Sequence, residues 1–188
     1  MRITDTALPG VKIIEPTYHE DYRGYYAETY SVSRFAEHGF DKIFVQDNHA
    51  YTFKKDTIRG IHFQNNPVPQ TKLVRVTAGA IWDVVVDLRS DSPHFKKWIA
   101  VVLSAQNKKQ IWVPAGFGHA ILTLTDDCEV LYKVDNLYDP SLDRAIQWND
   151  PDIAITWPIS KPIISQKDIN APFLAESDVN FSIKENGT

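Results

Sequence analysis

The 188-residue sequence predicts a single all-β domain, a sandwich or barrel with few helices. Three observations carry this. Short runs rich in β-branched and aromatic residues recur between residues 73 and 134, each bounded by turn-forming residues. Helix signals are scarce. No stretch alternates helical and strand patterns, as a doubly wound α/β fold requires.

Taken in order, the first element is one short helix over 31–38, with Ser31 as N-cap and Gly39 just past its end. Residues 73–76 and 80–88 flank Gly79 and read as two strands with a tight connection. In the second, Trp82, Val84, Val86 and Leu88 share one face and Asp83, Val85 and Asp87 the other, because side chains alternate along a strand. Asp83 and Asp87 alternate with apolar residues, which leaves a solvent-facing reading open for both. Further strands are predicted over 98–103, 110–113, 120–124 and 129–134. Turns at SDSP (90–93), SAQNKK (104–109), PAG (114–116) and TDD (125–127) separate them. Past Trp157, Pro158, Pro162 and Pro172 predict an irregular wrap, and the polar stretch 176–188 a poorly ordered end.

Composition narrows the function. Lys and Arg number 20 against 24 Asp and Glu, a net charge of −4, which argues against a general nucleic-acid binder. With 43% hydrophobic and 12% aromatic residues the chain is not disordered. Cys128 is the only cysteine, so no intrachain disulfide can form, and its aspartate neighbours predict an inert thiol. No apolar run approaches the roughly 18 residues of a membrane span. The first sixteen residues, MRITDTALPGVKIIEP, hold no signal-peptide core. These features predict a soluble, cytoplasmic chain.

Two segments concentrate chemistry. In RGIHFQ (59–64), Gly60, His62 and Gln64 point the same way if the segment is a strand. PAGFGH (114–119) resembles the second, PxGxxH motif of the cupin superfamily of jelly-roll barrels, which would bring His119 into a barrel interior. Metal-binding cupins place a His-x-His pair and a glutamate in their first motif. Here it reads His62-Phe63-Gln64, leaving two imidazoles where a catalytic zinc site takes three protein ligands. No metal and no cofactor are predicted, with Gln64 as the one alternative oxygen ligand. A histidine near neutrality can instead take a proton from a carbon beside a ketone, since the charge moves onto oxygen as an enolate. Lys72 and His119 are candidates to stabilise that oxygen. Inversion needs an acid on the opposite face, and Tyr132, in VLYKV, is the candidate.

These segments belong to an ordered set: DYRGYYAETY (21–30), FVQDNHA (44–50), RGIHFQ (59–64), KLVRV (72–76), WDVVVDLRSDSP (82–93), WVPAGFGHA (112–120), VLYKVDNLY (130–138), WNDPDIAITWP (148–158) and ISQKD (164–168). Together they strongly resemble the dTDP-4-dehydrorhamnose 3,5-epimerases, cupin-like enzymes of dTDP-L-rhamnose synthesis. The resemblance implies a cupin-type jelly-roll barrel with an N-terminal extension and a few short helices. It implies a homodimer acting at C3 and C5 of a dTDP-linked 4-keto-6-deoxy sugar. On it His62 is the general base, paired with Asp168, Tyr132 the acid and Lys72 the enolate stabiliser, with His119 nearby and Asp83 its possible partner. Arg23, Glu28, Gln46, Asn48 and Arg59 match nucleotide and diphosphate positions, and Asp143 and Lys167 further substrate positions. Tyr138 would stack on thymine or close over the sugar. The rivals are a single-centre epimerase, a ketoisomerase, a non-catalytic sugar-nucleotide-binding cupin and a metal-dependent oxygenase.

The chain departs from the family pattern at several positions. Residue 71 is Thr where the family often has Gly, and 134–135 is Val-Asp where it often has Cys-Thr. Segment 116–120 reads GFGHA for GFAHG, 92–96 reads SPHFK for SPTFG, and Asp143 stands where glutamate is commoner. The tryptophans read as packing residues, although Trp112, just before the PAG turn, admits a role at the site.

Overall fold

The computed structural model describes residues 1–186. In chain order its strands are β1 (Arg2–Asp5), β2 (Lys12–Glu15), β3 (His19–Asp21), β4 (Gly24–Tyr26), β5 (Gln46–Thr52), β6 (Ile58–Gln64) and β7 (Lys72–Ala78). There follow β8 (Ala80–Asp87), β9 (Trp98–Ser104), β10 (Gln110–Val113), β11 (Phe117–Thr123), β12 (Cys128–Val134) and β13 (Asp143–Ala145). Short helices are α1 (Val32–Glu37), α2 (Gln166–Ile169) and α3 (Ile183–Asn186), with a 3₁₀ turn at Leu174–Glu176. A six-stranded sheet runs β1-β2-β10-β7-β12-β5 and a five-stranded sheet β13-β6-β11-β8-β9, while β3 and β4 form a separate hairpin. All strand pairings within these sheets are antiparallel. This is the predicted all-β jelly-roll architecture, and its N-terminal extension supplies two strands of the larger sheet.

Strands 7 and 8 form where their β-branched residues predict them, but they do not pair. β7 lies between β10 and β12 in the six-stranded sheet, and β8 between β11 and β9 in the other. One residue is too short for the two-residue loop of a tight hairpin, so the chain turns a corner from sheet to sheet at Gly79. Gly79 has φ +72°, and a Cβ there would sit 2.4 Å from Thr125 Oγ1 and 2.7 Å from Cys128 Sγ.

Between the sheets lies a core of Val74 and Val76 of β7, Ile81 and Val85 of β8, Leu103, Ile111, Phe117, Ile121, Cys128 and Val130. Cys128 is a buried free thiol. Ile81 and Val85 are inward, so Asp83 and Asp87 share the inner face and are fully buried. The solvent-facing reading of these aspartates is therefore overturned. Asp87 is held by Arg89 at 2.7 Å and Ser92 Oγ at 2.6 Å, a structural cluster. The opposite face of β8, with Val84 and Val86, together with Leu88 just past its end, packs under Ile146, Ile153, Ile155, Leu174 and Phe181 of the C-terminal segment.

That packing also corrects the reading of the tail. Its wrap is irregular, as the prolines require, but it is docked. Ser90 N–H donates to Phe181 O, Asn66 Nδ2 to Asn180 O, and Arg144 Nε to Asp178 Oδ1. Residues 187–188 of the predicted disordered end lie outside the described residues. A third cluster stacks Phe35, Phe40 and Phe44 around Trp112, which is 5% exposed and packs rather than lining a site.

Gly79→Ala is expected to destabilise the fold by about 1–3 kcal/mol, since alanine meets both a left-handed backbone and two side chains at the corner. Thermal unfolding of the variant checks this. An unchanged melting temperature would show that the corner relaxes freely.

Candidate active site

The two motif histidines face each other. In the antiparallel pairing of β6 with β11, His62 and His119 are direct partners, and a bulge follows His119. The strands approach closely at Gly60 (φ +120°), where a Cβ would lie 2.6 Å from both Ala120 Cβ and His119 O. Only glycine fits there, which accounts for the RGIH order.

Each histidine has a buried carboxylate. His62 Nε2 lies 2.6 Å from Asp168 Oδ1, across 106 residues of sequence. Asp168 is 2% exposed. It sits in α2 because Ser165 caps that helix, its Oγ accepting from Asp168 N–H at 3.2 Å. Burial pushes the Asp168 carboxyl up, but the hydrogen bond and charge of His62, the Gly60 N–H and Ser165 outweigh it and hold it below the usual range. His119 Nε2 lies 2.8 Å from Asp83 Oδ2, while Asp83 Oδ1 has no partner among the described residues.

A cavity of about 270 Å³ opens beside this pair. Arg59, His62, Lys72, His119, Tyr132, Tyr138, Asp143 and Lys167 line it, so the structure unites most of the predicted site. Its walls come from both sheets: His62 from β6 and His119 from β11 on one side, Lys72 from β7 and Tyr132 from β12 on the other. Along β7 the inward positions run Val76, Val74, Lys72, and along β12 Cys128, Val130, Tyr132. Each strand thus passes from apolar core to polar cavity. Burial pushes the Tyr132 hydroxyl up, reinforced by the charge of Asp143 and opposed by Arg59, so the phenol stays protonated near neutrality. Burial lowers Lys72 to about 8, against the pull of Asp143 and Asp83. Both carboxylates act on it by charge and not by a hydrogen bond.

At the rim, Asp143 accepts from Lys167 Nζ and, at 3.2 Å, from Tyr138 O–H. Gln46 donates to Asn48 Oδ1 at 2.8 Å and accepts Tyr138 N–H at 3.1 Å, on the same β5 face as cavity-lining Ala50. Arg59 is aimed by Thr52 Oγ1 and Tyr51 O. Two predicted residues stand apart. Arg23 is exposed at the turn between β3 and β4, paired with Asp21 at 2.6 Å, and Glu28 binds Arg34 at 3.0 Å. Gln64 is no free oxygen ligand: its Oε1 accepts Asp139 N–H, and its Nε2 donates to Val68 O and Leu137 O. Among the described residues no group of three or more His, Cys, Asp or Glu is placed to hold a metal ion. No described helix is long and apolar enough to cross a membrane. Sequence reasoning missed Gln70, a cavity-lining loop residue without a chemical signature, and Ser165, which the S-x-x-D spacing of 165–168 signals as a cap.

Two His–carboxylate pairs, a buried lysine and a protonated tyrosine line one cavity in a jelly-roll barrel, an arrangement chemically able to move protons, as an isomerase requires. Residues 5–176 match the family model described as dTDP-4-dehydrorhamnose 3,5-epimerase. The chain is 46% identical to the dTDP-4-dehydrorhamnose 3,5-epimerase of Salmonella typhimurium, over 94% of this chain and 97% of that one. The crystal structure of the Bacillus anthracis dTDP-4-dehydrorhamnose 3,5-epimerase with TDP and PPi bound superposes with a TM-score of 0.89 at 45% identity, covering 92% of this chain and 98% of that one. A Legionella pneumophila dTDP-6-deoxy-D-glucose-3,5-epimerase in complex with dTDP-4-keto-L-rhamnose gives 0.89 at 38% identity, covering 94% of each chain. The chain belongs to the dTDP-4-dehydrorhamnose 3,5-epimerase family.

Lys72 carries a testable cost. Its folded value of about 8 lies below the ordinary 10.5. The unfolded chain therefore binds more protons between those values, and stability rises with pH through that window. Below it the buried charge is a standing penalty of about 3 kcal/mol. Lys72→Met is expected to be more stable than the parent at pH 7, with the stability gain shrinking toward pH 10.5. Denaturant unfolding at the two pH values measures this, and a less stable variant at pH 7 would contradict it.

Proposed function

We propose that this protein epimerises C3 and C5 of dTDP-4-dehydro-6-deoxy-D-glucose to give dTDP-4-dehydro-L-rhamnose. The observation that carries the reading is the placement of His62 and Tyr132 on opposite sheets across one cavity. A sugar ring held between them meets a base on one face and an acid on the other.

His62 Nε2–H donates to Asp168, which leaves Nδ1 as the base. It takes the proton from carbon, the C–H pair moves into the ring, and the C4 carbonyl oxygen becomes an enolate. The Lys72 ammonium stabilises that oxygen, with His119 close by. Tyr132 O–H then delivers a proton to the opposite face as the carbonyl re-forms. His62 loses its proton to solvent and Tyr132 regains one, so solvent hydrogen enters the product. Repetition at the second carbon completes the inversion. Arg59, Gln46, Asn48, Lys167 and Tyr138 hold the nucleotide and the sugar rim, and arginine suits the diphosphate. A nucleotide-linked substrate supports a cytoplasmic location for the enzyme.

The active form is a homodimer. Arg23 and Glu28 lie away from the cavity of their own chain, next to a hairpin that exposes Tyr22 at 97% and Tyr26 at 72%. A second copy covering this hairpin would bury those rings and bring both residues to a nucleotide site.

Proton NMR in D₂O should show loss of both the C3 and C5 signals of the substrate. Exchange at one carbon alone would mark a single-centre epimerase, and none would sink the reading. His62→Ala should lower kcat/KM by about 10²–10⁴-fold, and Tyr132→Phe should lower kcat far more than it raises KM. Because Lys72 must be protonated to act, kcat should fall above about pH 8. Arg23→Ala should raise KM with little change in kcat, and sedimentation should show a dimer. A monomeric active enzyme would refute the shared site.

A further inference from the structure

The β7/β12 ladder ends where Lys72 pairs with Val134. Beyond that register the two chains remain joined by side chains. Asp135 Oδ1 accepts Thr71 N–H at 2.6 Å, Asn136 Nδ2 donates to Pro69 O at 2.6 Å, and Gln70 Nε2 donates to Asn136 O at 2.9 Å. Thr71 is 1% exposed, so its amide has no recourse to water, and Asp135 is half-buried beside it. The residues held this way are the cavity wall: Gln70 lines it, and Lys72 follows Thr71 directly. The groups acting on the Lys72 ammonium, Asp143 and Asp83, do so by charge and not by a hydrogen bond, so its position follows from its backbone and packing.

We propose that Asp135 is a positioning residue for Lys72, its carboxylate oxygen pinning the Thr71 amide so that the lysine enters the cavity at a fixed depth. The bond does for this chain what further backbone pairing would do for a longer ladder. An oxygen acceptor at residue 135 is what the role requires, not a charge. The inference rests on the reading of Lys72 as enolate stabiliser.

The test compares D135A, which removes the acceptor, and D135S, whose side chain is one bond shorter and draws its oxygen back from the amide, with D135N, which keeps the oxygen in place. Thermal melts establish that each variant is folded, and D135S decides the question if D135A does not fold. kcat is expected to fall up to about 100-fold in the truncated variants, with KM little changed, and to stay near the parent value in D135N. The second readout is the titration of Lys72 Nζ by ¹⁵N NMR without substrate. Asp143 of β13 and Asp83 of β8 act on Lys72 in parent and variants alike. Release of the backbone should therefore appear as a Lys72 titration moving from about 8 toward 10.5 in D135A and D135S only. Parent-like kcat in the truncated variants, a D135N as impaired as D135A, or an unmoved Lys72 titration would each overturn the proposal. A parent enzyme that exchanges no sugar hydrogen would refute the epimerase reading instead, and the Lys72 titration would still decide the role of Asp135.

Discussion

A β-barrel with ionisable groups in its interior must keep them inside a medium that penalises charge. This molecule does so by giving its interior histidines carboxylates that are themselves buried. His62 with Asp168 and His119 with Asp83 are set side by side by a single register, the pairing of β6 with β11. That register depends on Gly60, because any side chain there would strike Ala120 and the His119 carbonyl. Much of the site's geometry follows from this one close approach: the pairing of imidazoles, the bulge after His119, and the Gly60 amide turned toward Asp168 at 3.4 Å.

Asp168 arrives from far along the chain, so its placement depends on the C-terminal wrap. Ile163 bridges to Thr57 in parallel fashion, Ile58 N–H donates to Ile163 O, and Ile163 N–H donates to Asp56 O. Two residues later Ser165 caps α2 and presents Asp168 to His62. The same segment continues over the outer face of the five-stranded sheet, where Leu174 and Phe181 bury Val84, Val86 and Leu88. Both faces of β8 are thereby dry, which is why its aspartates require partners. The tail is at once the cover of a sheet and the carrier of a site residue.

The strands from 73 to 134 were legible because β-branched runs and Gly, Pro and Asp turns punctuate them. Two polar strands were not: β5 is QDNHAYT and β3 is HED, segments whose extended form comes from neighbours and not from propensity. The alternation of β8 gave its two faces correctly but not which faced the barrel, since a paired buried aspartate and a solvated one look alike in sequence. Of the site, His62 and His119 stand out in motifs, whereas the His62–Asp168 pair spans 106 residues and only the resemblance to a family connected them. Arg23 and Glu28 match family positions, yet a single chain holds them away from the cavity. On the proposed homodimer their contribution would be a property of the assembly, which no strand pattern encodes.

Lys72 differs in kind from the other charged groups. Asp83 is engaged by His119, and Asp143 by Lys167 and Tyr138, so the carboxylates that attract Lys72 have closer partners elsewhere. Their field keeps the ammonium charged without neutralising it. A cation left this way is poorly satisfied beside a neutral ketone and well satisfied beside an enolate oxygen. On the proposed reaction the interaction therefore strengthens as the proton leaves carbon, which is the condition for lowering a barrier instead of only binding substrate. Salt-bridging Lys72 within the fold would recover stability and remove that difference. On the proposed reaction, the incomplete satisfaction of this one buried charge is what the two sheets, the Thr71–Asp135 contact and the paired histidines are arranged to preserve.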